Sequence, residues 1–179
     1  MIQRIQSLFL LVSLLVVLSG TFAPIISLKG DFKSEKEAET TDRSVDVEMS
    51  GFYIKTAIAD LEDQYNAEME AQLPPTFPLG LGYLVLVILN GFIIINPTDR
   101  VRQMKLIVFS IVLHVVLLIG AVITGNAVAS VVEGYNSYFE INYFNWGLIA
   151  LPVSIVLCIL ARIFIKKDEE LVRSVDRIR

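Results

Sequence analysis

One cysteine, one histidine and one tryptophan are all that 179 residues supply of those three types. The lone Cys158 sits inside an apolar run, which excludes an internal disulfide and a cysteine-rich zinc site. Serine-hydrolase elbows, phosphate loops, zinc-protease motifs and paired membrane aspartates are all missing, so nothing marks an enzyme and no cofactor is expected. Charge is scarce as well. Only 19% of residues are Asp, Glu, Lys or Arg, and the net charge of −4 does not indicate a nucleic-acid binder. Basic residues are absent from 133–145, and acids are absent from every long apolar run.

What the chain has in abundance is apolar length. A hydrophobic fraction of 54% and a mean hydropathy of +0.63 are high for a soluble domain. Four runs approach the roughly 20 residues that cross about 30 Å of hydrocarbon: 5–28, 77–95, 106–124 and 146–165. The first could be a secretory signal peptide. It is longer than the usual signal core, however, and the small-x-small site Thr21-Phe22-Ala23 is followed by Pro24, so an uncleaved span is expected. Pro152 inside the fourth run should bend it and free the Leu148 carbonyl.

The direction of the chain follows from the hairpin 77–124. Its turn carries Arg100, Arg102 and Lys105 against the single acid Asp99, and such turns stay cytoplasmic. Ten of the fifteen Lys and Arg residues then fall inside, and the other five lie in one long loop that weighs less in the rule. The expected fold is an all-α membrane protein, a four-helix bundle with both termini in the cytoplasm, in a bacterial inner membrane.

The loop 29–76 holds twelve acids against five bases and reads as a solvated face, since no EF-hand spacing or histidine cluster accompanies the acids. It is expected to be mainly helical or partly disordered. Ser44–Met49 alternates as a weak strand, whereas Ile54, Ile58, Leu61, Tyr65 and Met69 predict an amphipathic helix over Tyr53–Leu73, stopped by Pro74-Pro75. Residues 133–145 read as a short loop rich in aromatics (Tyr135, Tyr138, Phe139, Tyr143, Phe144, then Trp146), which fits an interfacial belt or, as the alternative, a sugar- or quinone-binding surface. Residues 166–179 form a charged cytoplasmic helix. Leu171, Val175 and Ile178 make an apolar stripe there, and Glu169 and Arg173 stand as an i,i+4 pair. With Asp176 these make the tail a partner-docking candidate; the competing reading holds it against anionic headgroups.

The opening Met1-Ile2-Gln3-Arg4-Ile5-Gln6 and the ending Ile165-Lys166-Lys167-Asp168-Glu169-Glu170-Leu171-Val172-Arg173-Ser174-Val175-Asp176-Arg177-Ile178-Arg179 resemble the two ends of an uncharacterised Bacteroidota family, domain of unknown function family 4293. The resemblance spans essentially the whole chain and implies a four-span integral protein of the cell envelope. It implies no activity, cofactor or catalytic residue.

His114 lies eight residues into the third run, about 12 Å deep, and Asn90 lies about 8 Å from the inner end of the second. An ionisable group at that depth is a functional candidate, and a hydrogen bond between the two across the hairpin is expected. The plainer reading, that both merely pin helices together, is favoured because no acid in any span could relay a proton to His114. Ser110–His114 and Ala121–Gly125–Ala129 repeat at four residues and should face neighbouring helices. The expected role is a non-enzymatic accessory or scaffold subunit, with the lipid bilayer and other membrane proteins or a second copy as partners and no nucleic acid. The alternative is a small oligomeric transporter or channel-like protein using His114 and Asn90.

Overall fold

A computed structural model describes residues 2–32, 43–58, 71–95, 100–133 and 137–176. Among the described residues four long antiparallel helices run α1 (Ile2–Phe22), α2 (Phe77–Ile95), α3 (Arg100–Glu133) and α4 (Trp146–Asp176). At one end of them stands an antiparallel sheet of β1 (Ile26–Phe32), β2 (Arg43–Met49), β3 (Ile54–Ile58) and β4 (Ser137–Asn142), in the order β3-β2-β1-β4. The opposite end carries the start of α1, the end of α4 and the basic start of α3.

Each helix contains a window apolar enough to cross a membrane, and only 28–33% of each window is buried. Ile88, Ile95, Val116 and Ile123 are each more than 55% exposed. So much outward apolar surface suits acyl chains and would be untenable in water. The expected four helices are present; α2 coincides with its run, while α3 and α4 extend beyond theirs. At 1.5 Å per residue the 34 residues of α3 reach about 51 Å, well beyond about 30 Å of hydrocarbon. The surplus at the sheet end buries Val128, Ala129 and Val132 in one core with Ile26, Leu28, Val47 and Met49 from the sheet. The fourth helix is continuous through Pro152 and carries the charged tail for about 16 Å past Ile165.

Three expectations are corrected here. The first helix stops at Phe22 and not at Leu28, because Pro24 cannot continue it and Ile26 and Leu28 instead pair with Met49 and Val47. The predicted helix over Tyr53–Leu73 begins as strand β3, antiparallel to β2. A step of four residues is also two strand periods, so Ile54 and Ile58 satisfied both patterns, and pairing with β2 decided between them. Residues 59–70 of that segment lie outside the described residues, while Ala71 and Gln72 are helical. Within the predicted loop 133–145, Ser137–Asn142 forms β4, an edge strand beside β1. Ser44–Met49 is a strand, as its alternation indicated.

The sheet is two-faced. Ile26, Leu28, Val47 and Met49 point to the helices, while Lys29, Asp46, Glu48, Lys55 and Glu140 point away. Register sets Lys29 between Glu140 and Asp46, and Glu48 opposite Lys55, so unlike charges face each other across strands.

Two backbone contacts tie sheet to helices. The Gly80 N–H, in the first turn of α2, is shared between the Gly51 carbonyl at 2.8 Å and the Thr76 carbonyl at 3.4 Å. A Cβ at Gly80 would lie 2.5 Å from the Phe52 ring and 2.7 Å from the Gly51 oxygen. In the same way Gly147, at the start of α4, donates to the Pro24 carbonyl at 2.9 Å, and a Cβ there would meet this oxygen at 2.7 Å. Tyr83 is fully buried, its hydroxyl donating to the Gly147 carbonyl at 2.8 Å.

Candidate functional site

Two apolar cores stack along the bundle. The first joins Tyr83, Leu86, Leu117 and Leu151 to the sheet; the second joins Leu10, Ile93, Ile107, Cys158, Ala161 and Ile165. Between them lies a layer of polar side chains contributed by all four helices: Ser13, Asn90, Ser110, His114 and Ser154, each with 0% exposure. Helical spacing assembles it. Ser110 and His114 are one turn apart on α3, as are Ser154 and Cys158 on α4, so each pair shares a face. Leu86 and Ile93 bracket Asn90 on α2 by the same rule.

The hydrogen bonds form a directed chain. His114 Nδ1 lies 2.7 Å from the Ser110 carbonyl, which can only accept, so this nitrogen carries the proton. In neutral imidazole Nε2 is then the acceptor, and the Ser154 hydroxyl donates to it at 2.8 Å. Ser13 donates to Ser154 at 2.6 Å, and the Cys158 thiol lies 3.4 Å from Ser13 Oγ with its proton available. On the other side the Ser110 hydroxyl donates to Asn90 Oδ1 at 2.9 Å. Cys158 thus serves as a weak donor in a packed layer.

His114 and Asn90 are brought into one network, but by way of Ser110 and not by the direct bond expected. The steric reason is visible in the chain: the imidazole is turned toward α4 by Ser154, leaving the hydroxyl one turn earlier to meet α2. Sequence reasoning missed Ser13, Tyr83 and Ser154 as buried partners. The signal for Ser154 was its i,i+4 repeat with Cys158.

The other candidate is the tail. Arg100 lies 3.1 Å from the Asp168 carboxylate and 3.9 Å from that of Glu169, with the Asp168 side chain only 14% exposed. Lys166 and Glu170 form the i,i+4 pair seen, at 3.8 Å. Leu171 is 54% exposed and Val172 42%. The side chains of Arg173, Val175 and Asp176, and all of Ile178, lie outside the described residues, and with them the expected Glu169–Arg173 pair. Around the sheet end, Phe52 stacks against Phe22 and meets Phe77 edge-on, with centroids 6.3 and 6.4 Å apart. Trp146 is half-exposed and donates to Ser19 at 2.9 Å. Tyr135, expected in the belt, is outside the described residues. Among the described residues no three His, Cys, Asp or Glu side chains converge as a metal site.

Four membrane-length helices, a buried polar layer and a sheet at one end define a multi-pass membrane protein. The chain belongs to the family described as Domain of unknown function (DUF4293), which matches residues 2–178. Among curated proteins nothing matches it.

Proposed function

We propose that this protein is a non-enzymatic membrane component, an accessory or scaffold subunit that holds other envelope proteins. The observation that carries this reading is the use made of the polar groups inside the bundle. Both ring nitrogens of His114 are engaged by Ser110 and Ser154, and every hydroxyl in the layer bonds to a neighbouring helix or its own. The layer fixes helix register, which is the best-attested use of polar side chains in a packed bundle. The surfaces left for association are the charged sheet face and the helical tail braced by Arg100. In this reading the basic end, with Arg100, Arg102, Lys105, Lys166 and Lys167, faces the cytoplasm across the bacterial inner membrane.

The test is purification in mild detergent, with and without residues Glu170–Arg179. A stoichiometric partner that co-purifies with the full chain and is lost on truncation supports the subunit role. A lone monomer under every mild condition overturns it. The transporter reading requires His114 to meet water; a homo-oligomer with solute flux that His114→Ala abolishes would favour it instead.

A further inference from the structure

One polar group of the buried layer has no partner: Asn90 Nδ2, on a residue with 0% exposure. Its sister atom Oδ1 accepts from Ser110 Oγ at 2.9 Å. Reversing the amide leaves the problem in place, since Nδ2 would then donate to Ser110 and Oδ1 would be the open atom. A buried amide group without a hydrogen bond is destabilising, and between apolar cores no bulk water relieves it.

We infer that a single water molecule is bound between Asn90 and Ser110, closing a ring of three hydrogen bonds inside the membrane. Asn90 Nδ2–H donates to the water, the water donates to Ser110 Oγ, and Ser110 Oγ–H donates to Asn90 Oδ1. Ser110 Oγ has two lone pairs, so one remains for this beside its contact with the Cys158 thiol. With one bond accepted and one donated, the water makes the two that buried waters need at least. The ring joins α2 to α3 beside the position where His114 joins α3 to α4, so the hydrated pair and the imidazole lock successive helices at one depth. The inference rests on the burial and bonding of Asn90 and is independent of the subunit role.

Two measurements test it. In protein labelled with ¹⁵N-asparagine and held in lipid nanodiscs, the Asn90 side-chain amide is assigned by its disappearance in Asn90→Leu. A nuclear Overhauser contact from its protons to water is expected; contacts only to protein or lipid protons would overturn the proposal. The second measurement compares melting of the unsubstituted protein with Asn90→Leu/Ser110→Ala, which removes both partners. If water completes the ring, the double variant melts lower, by about 3 °C or more. If the amide is a true orphan, the relief of removing it offsets the lost Ser110–Asn90 bond, and an equal or higher melting point sinks the inference. Should the double variant fail to fold, the amide–water contact in the unsubstituted protein decides the matter.

Discussion

At the sheet end, α4 begins with its Gly147 N–H on the Pro24 carbonyl at 2.9 Å; at the basic end the same helix is held by the Arg100 guanidinium, 3.1 Å from Asp168. The first contact is backbone on backbone and depends on a missing Cβ. The second is reached by a long side chain, as are the neighbouring bonds from Gln6 to the Phe164 carbonyl and Gln103 to the Ile93 carbonyl, both 3.3 Å. A backbone contact has no spare degrees of freedom, whereas a long side chain can re-aim. The described contacts that hold α4 are therefore set by backbone at the sheet end and by long side chains at the basic end.

That contrast can be broken most severely at Gly147. Gly147→Val places a side chain 2.7 Å from a backbone oxygen, and overpacking there should cost about 3 kcal/mol or prevent insertion altogether. A melting point in detergent equal to that of the unsubstituted protein would erase the distinction between the ends. Next comes Tyr83→Phe, which leaves the buried Gly147 carbonyl without its side-chain donor and should cost about 1–1.5 kcal/mol in reversible unfolding. Arg100→Gln should cost about 1 kcal/mol, partly screened by salt, since the glutamine amide still offers a hydrogen bond to the largely buried Asp168 carboxylate. In the middle layer, coupling between Ser13 and Ser154 in a double-mutant cycle should be near 0.6 kcal/mol and at most about 1.7 kcal/mol, typical of polar pairs between membrane helices. Smallest of all, Lys29→Gln on the sheet face should change stability by under about 0.5 kcal/mol, because Lys29 and Asp46 are 70% and 40% exposed. A larger loss at Arg100 than at Gly147 would reverse the ranking of the two ends.

The candidate layer was half legible beforehand. His114 and Asn90 stand out because a titratable or amide group amid apolar neighbours is conspicuous at any reading. Ser13 does not, since serine is common in membrane helices and only a facing residue on α4 makes it a partner. The direct His114–Asn90 bond failed for a related reason. Depth along two helices can be counted from residue numbers, but rotation about the helix axis cannot, and Ser110 faces α2 where the imidazole does not. The sheet was obscured differently: Ile54 and Ile58 fit both periods, and the aromatics of 137–142 mask the alternation of an edge strand.

What the sequence determined by itself was the membrane part: four spans and the clustering of basic residues at one end of them. Hydrocarbon imposes that result locally, residue by residue, because each backbone must satisfy itself within its own helix. The tertiary structure alone decided the rest. Strands must find their hydrogen bonds in distant segments, so β1 could form only once β2 and β4 were beside it. The polar layer likewise exists only where four helix faces meet, and no single run of residues contains it.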